Sequence, residues 1–199
     1  MLLLGPRTPM IFMGQEFNAT TPFPYFADVR DSGAAELWNN RKRETADFEQ
    51  YAGPAAQDCI LDPLADGTAG RAILNISERN SRSETFRLFE DMLKLRHTDP
   101  VLSKRPLPLL DGAVLGERAF ALRWFTTEES DRLLIINFGA QINRAAIAEP
   151  LLAAPRECHW ELISSTDDPR YGGLGIVAPF SETGIYIAAE CASFMIARH

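Results

Sequence analysis

Thr8-Pro9-Met10-Ile11-Phe12-Met13-Gly14-Gln15-Glu16-Phe17 is a short apolar run that opens after a proline and closes on glycine and polar residues. Met10, Ile11 and Phe12 follow one another without the alternation of a half-exposed strand, so the run predicts a strand over 9–17 buried on both faces. Such a strand needs neighbouring strands and covering helices, and nothing before it in the sequence supplies them. The chain is therefore expected to begin inside a larger core, as a truncated or separately encoded piece. An unpaired apolar strand also offers its edge to other chains, so self-association through this orphaned strand is expected.

Around that run the composition is that of a folded protein, with 46% hydrophobic and 24% charged residues in 199, too apolar for a disordered chain. Twenty basic against 27 acidic residues give a net charge of -7, which leaves no broad positive surface for a phosphate backbone or an anionic membrane. Nucleic acid and membrane are excluded as partners on that ground. Cys59, Cys158 and Cys191 lack CxxC spacing and form no ligand cluster with His97, His159 and His199, so they read as reduced packing residues and no metal or cofactor is expected. No apolar run approaches the roughly 20 residues of a membrane span. Met1-Leu2-Leu3-Leu4 has no basic n-region, and Gly5-Pro6 cuts it short, so no signal peptide is expected and a cytoplasmic location follows.

Downstream, residues 18–34 form a loop rich in proline and aromatic rings, including Pro22-Phe23-Pro24-Tyr25-Phe26. A helical pattern runs from about Ala34 to Tyr51 and ends at Gly53-Pro54. Residues 53–79 read as an irregular connector. Ser81 and Glu84 have the spacing of a capping box, opening a helix with Phe86, Phe89, Met92 and Leu93 on its apolar side and a stop before Asp99-Pro100. Beyond Pro100 the pattern changes to short strands: Ala119–Thr126 and Arg132–Phe138 as a hairpin around a polar loop with Glu128 and Glu129, then Ile142–Ile147, Cys158–Ile163 and Ile185–Ala197. With no helices between them, these strands can only pair antiparallel. The chain thus divides into residues 1–100 and an all-β region, residues 101–199.

The order of strand, aromatic loop, helix, connector, capped helix and β domain resembles the last unit of the (β/α)8 barrel and the C-terminal domain of alpha-amylase-family enzymes. Leu3-Leu4-Gly5-Pro6-Arg7 leading into the 8–17 run is similar to the eighth barrel strand of the malto-oligosyltrehalose trehalohydrolase family. Pro22-Phe23-Pro24-Tyr25-Phe26-Ala27-Asp28, Arg41-Lys42-Arg43-Glu44 with Phe48, Leu93-Lys94-Leu95-Arg96 before Asp99-Pro100, Leu134-Ile135-Ile136-Asn137-Phe138-Gly139 and Ser164-Ser165-Thr166-Asp167-Asp168-Pro169-Arg170-Tyr171-Gly172-Gly173 resemble further motifs of that family. Asn40 stands where the family has glycine, and Asn75-Ile76 where it has Asp-Trp. The implied fold is an α+β fragment: the last β/α unit of a (β/α)8 barrel followed by an antiparallel β-sandwich. The implied reaction is retaining hydrolysis of malto-oligosyltrehalose, releasing trehalose, with an α-glucan or malto-oligosyltrehalose as substrate of the parent enzyme.

Such hydrolysis needs a carboxylate nucleophile and a carboxylic acid about 5–5.5 Å apart. The resemblance places these groups on the fourth, fifth and seventh barrel strands, all absent here, so no catalytic residue is assigned and the chain is expected to be inactive alone. The candidates for binding substrate are Glu16, Phe17, Phe23, Tyr25 and Phe26, since loops after barrel strands lie at the active-site end. Opposed to this, Glu16 can order its loop through hydrogen bonds, and the rings can pack on neighbouring loops. Asp28 and Asp31 are the other loop acids. Arg41-Lys42-Arg43 reads as a solvated helix face, and Gly172-Gly173 as a turn needing positive φ or close backbone approach. Two alternatives remain: a non-catalytic carbohydrate-binding or interaction module using the loop or Trp124, Trp160 and Tyr171, and a remnant of a branching-type enzyme.

Overall fold

Leu133-Leu134-Ile135-Ile136 is buried at every position, because in the computed structural model it lies in the middle strand of an antiparallel sheet covered on both faces. The structure describes residues 1–29, 33–104, 108–127 and 130–199. They pack as two compact units, Met1–Phe17 with Arg82–His199, and Asn18–Ser81. Asp31, Glu128 and Glu129 lie outside the described residues.

The strands are β1 (Leu109–Gly116), β2 (Ala119–Phe125), β3 (Arg132–Asn137), β4 (Ile142–Arg144), β5 (His159–Ser165), β6 (Phe180–Ser181), β7 (Gly184–Ile187) and β8 (Ala192–Arg198). All belong to the first unit and pair antiparallel, in a five-stranded sheet of order β1-β2-β3-β8-β5 and a three-stranded sheet of order β4-β7-β6. The period of two sorts the side chains. Trp124, Leu134, Ile136, Phe194 and Ile196 pack with Leu3, Leu4 and Met92. Leu133, Ile135, Ala121 and Met195 pack with Leu152 and Ile187, and with Ile142, Phe180 and Ile185 of the smaller sheet. Each large apolar side chain removed from water in these clusters contributes about 1.5–3 kcal/mol.

The helices are α1 (Gly33–Ala46), α2 (Pro54–Asp58), α3 (Glu78–Ser81) and α4 (Ser83–Thr98). α4 belongs to the first unit and turns Leu88, Phe89, Met92 and Leu95 toward the sheet. Its start differs from the expected capping box. Arg82 is the N-cap and supplies no side-chain cap, while the Ser81 hydroxyl donates to the Glu78 carbonyl at 3.0 Å within α3.

Side-chain hydrogen bonds tie the segments of the second unit together. The Thr45 hydroxyl donates to the carbonyls of Arg41 and Lys42, Gln57 donates to the Tyr51 carbonyl at 2.7 Å, and the Thr68 hydroxyl donates to the Asp62 carbonyl at 2.6 Å. The expected helix to Tyr51 stops at Ala46 and resumes as a single 3-10 turn at Glu49–Tyr51, since the exposed Phe48 supplies no packing to carry it on. The connector, expected to be irregular, contains α2, α3 and a 3-10 turn at Ala69–Ala72.

The strand expected over 9–17 does not form. Residues 8–12 are irregular, Gln15–Phe17 is a 3-10 turn, and Met10 is 87% exposed. No described strand pairs with this stretch, and extended backbone without a ladder leaves its donors and acceptors to water. α4 ends at Thr98 and β1 begins at Leu109. The compact units divide differently, because residues 1–17 and α4 pack with the β region. β1 and β6 are additional to the expected strands. β1 contains Asp111-Gly112 and exposes Leu109 and Val114, as an edge strand does.

Candidate functional site

The loop bearing the aromatic candidates is pinned at both ends. The Thr20 backbone N–H and hydroxyl donate to the Glu78 carboxylate at 2.8 and 2.6 Å, and the Ala27 N–H donates to the Pro63 carbonyl at 3.0 Å. Between these anchors Phe23 and Phe26 meet edge to face, with centroids 6.3 Å apart, and both remain exposed. Tyr25 faces α1, where the Arg41 guanidinium lies 5.2 Å from its ring centroid. A cleft of about 410 Å³ is lined by Tyr25 with Glu36, Leu37, Asn40, Arg41 and Glu44. Glu36, Asn40 and Glu44 recur every four residues and so share one face of the helix.

Glu16 and Phe17 belong to the other compact unit. Phe17 is 2% exposed, so its ring is a packing group with no face open to a ligand. Glu16 is half-buried and borders a groove of about 520 Å³ with Ile11, Phe12, Met13, Phe86 and Leu93. The loop-ordering hydrogen bond expected of Glu16 comes instead from Gln15, whose side-chain oxygen accepts the Phe12 N–H at 3.1 Å. Asp28 is exposed.

The basic run is not simply solvated, since Arg41 lies on Tyr25 and Lys42 lies 4.7 Å from the Trp38 ring centroid. Sequence reading missed the row of polar side chains opposite Tyr25. Its signal is the spacing of Glu36, Asn40 and Glu44, but that spacing is also common on solvent-facing helices.

In the β region Trp124 is fully buried, Tyr171 is buried with its hydroxyl donated to Asp91 at 2.7 Å, and Trp160 donates to the Leu152 carbonyl with Arg123 lying on its ring. None of the three offers a free aromatic platform. A second cleft, of about 600 Å³, is bordered by Arg118, Asn137 and Arg144 without an aromatic ring. Among the described residues no group of three His, Cys, Asp or Glu side chains could hold a metal ion, and no helix is long and apolar enough to cross a membrane.

Residues 109–183 match a family described as a domain of unknown function, DUF3459. Over 160 residues, 77% of the chain, the sequence is 34% identical to malto-oligosyltrehalose trehalohydrolase of Deinococcus radiodurans, covering 25% of that protein. The chain is homologous to the C-terminal region of malto-oligosyltrehalose trehalohydrolase. The trehalohydrolase of Mycobacterium tuberculosis is 31% identical over 156 residues, with 77% of this chain and 26% of that protein covered. The chain thus spans about a quarter of the length of these trehalohydrolases. Its fold aligns over 99% of its length with 29% of a Salmonella typhimurium structure assigned as an alpha amylase, at TM-score 0.70 and 21% identity. It also aligns over 99% of its length with 37% of the trehalulose synthase of Pseudomonas mesoacidophila, at TM-score 0.55 and 14% identity. The aligned fold is helices followed by antiparallel sheets.

Proposed function

We propose that these 199 residues act as the C-terminal portion of a retaining glycoside hydrolase that releases trehalose from malto-oligosyltrehalose, and that they are inactive by themselves. In this reading the residues before β1 are the last β/α unit of a (β/α)8 barrel, and the two sheets form its β-sandwich domain. The observation that carries it is the 34% identity to the Deinococcus radiodurans enzyme, extending over 160 residues. Retaining hydrolysis needs a nucleophile and an acid flanking one glycosidic bond, and neither role is assigned to any carboxylate here. The contribution of these residues is to pack against the reacting domain and to contact bound glucan.

The test replaces the matched region of the Deinococcus radiodurans enzyme with this chain and follows trehalose release from malto-oligosyltrehalose. A folded chimaera that keeps release supports the reading, and a folded chimaera without it counts against it. The 199-residue chain alone, shown by circular dichroism to be folded, is expected to release none. Release above a buffer blank would overturn the assignment of catalysis to other residues.

A further inference from the structure

The cleft between Tyr25 and α1 combines features that suit a neutral, hydroxylated ring. Its volume of about 410 Å³ falls within the roughly 300–1,000 Å³ of small-molecule sites. Tyr25 gives it an aromatic wall, and the quadrupole of such a ring attracts polarised C–H groups at its face. Glu36, Asn40 and Glu44 give the opposite wall a line of hydrogen-bonding groups set one helical turn apart. The Asn40 side-chain oxygen accepts from Arg43 at 2.7 Å, and its amide nitrogen carries two further donors. Among the described residues Glu36 makes no hydrogen bond or ion pair, so its oxygens can accept from a ligand hydroxyl.

Charge narrows the ligand class. Among the described lining residues the carboxylates of Glu36 and Glu44 stand against the Arg41 guanidinium, which disfavours phosphates and other anions. Arg41, 5.2 Å from the Tyr25 centroid and 3.9 Å from Glu44, already takes the cation position on the ring. What remains is a neutral polyol with one apolar face.

We propose that this cleft is a binding subsite for a glucosyl unit of an α-glucan, with Tyr25 against the apolar face of the sugar and Glu36, Asn40 and Glu44 on its hydroxyls. The choice of α-glucan rests on the function proposed above, whereas the cleft chemistry requires only a pyranose. Arg41, which also lines the cleft, lies over the same ring. Phe23 and Phe26 are engaged with each other and lie outside this cleft.

Isothermal titration calorimetry of the full 199-residue chain with maltoheptaose tests the subsite, with cellohexaose as the stereochemical control. The expected result is binding of maltoheptaose that Tyr25→Ala and Glu36→Ala each weaken by about tenfold or more, with Phe23→Ala close to wild type. Tyr25→Phe keeps the ring and is expected to retain binding within about threefold. Glu36 is exposed in the first turn of α1, so its substitution tests the cleft without unfolding the unit. Hydrogen exchange over 33–46 confirms that α1 is intact in each variant.

No binding of maltoheptaose to the wild-type chain, or equal affinity in wild type, Tyr25→Ala and Glu36→Ala, overturns the subsite. Preference for cellohexaose overturns the α-glucan class. An active chimaera with an unaffected Tyr25→Ala affinity removes the subsite alone. An inactive chimaera alongside Tyr25-dependent binding removes the trehalohydrolase reading alone.

Discussion

Asp99 holds the end of α4 to the sheet through both carboxylate oxygens. One accepts the backbone N–H groups of Val101 and Leu102, each at 2.9 Å, and the other accepts from Arg132 Nε at 2.8 Å. Arg132 also donates to the Ser130 carbonyl, and both side chains are at most 5% exposed. A buried guanidinium that loses its carboxylate remains charged and unpaired, which costs about 3–5 kcal/mol. Asp99→Ala is expected to lower stability by about that amount in urea unfolding, and a loss below about 1 kcal/mol would contradict the buried pairing.

Tyr171 gives a pH-dependent counterpart. Burial, and then its hydrogen bond to Asp91, push its phenol up from 10 to about 12. A folded-state value above the unfolded one means that the unfolded chain loses this proton first. The contribution of Tyr171 is therefore complete below pH 10 and is lost as pH rises toward 12. The stability difference between wild type and Tyr171→Phe is expected to shrink over that window. A difference constant from pH 8 to 12 would exclude the linkage.

Among elements, the turn after β5 was the most legible in sequence. Gly172 adopts φ +84, and a Cβ on Gly173 would collide with the Asp167 backbone, so each glycine meets a separate requirement. Asp168 accepts the Arg170 N–H at 2.9 Å and its Nε at 2.8 Å, completing the turn. The start of α4 was less legible, because Ser81 and Glu84 have the spacing of a capping box without its hydrogen bonds. The preceding short helix takes the Ser81 hydroxyl for itself. Ser81→Ala is consequently expected to cost less than the typical ~1 kcal/mol of a lost N-cap, as read from thermal unfolding. A full N-cap loss would mean that Ser81 caps α4 in solution.

For the molecule as a whole, both large apolar clusters lie in the unit containing the sheets. The self-association expected from a strand edge at 9–17 has no strand to act through. Met10, Phe12 and Met13 nonetheless remain half or more exposed, and large exposed apolar side chains in one short stretch favour association. Concentration-dependent sedimentation is expected for the wild-type chain and is expected to weaken in Met10→Ser with Met13→Ser. Equal behaviour of the two proteins would remove this face as the cause.

The sequence by itself determined the antiparallel β region, a helix starting near Ala34, a second helix stopping before Asp99-Pro100, and the glycine turn. These depend on local periodicity and backbone chemistry, which neighbouring residues carry. Tertiary structure alone decided which unbroken apolar run became a strand. Met10-Ile11-Phe12 and Leu133-Leu134-Ile135-Ile136 read alike, but only the second has strands on both sides and layers on both faces. It also decided that Phe17 is a core ring and that Tyr25 lies across a cleft from Glu36, Asn40 and Glu44. The separation of a loop ring from a helix face depends on how the chain folds back, and no periodicity in the sequence encodes that distance.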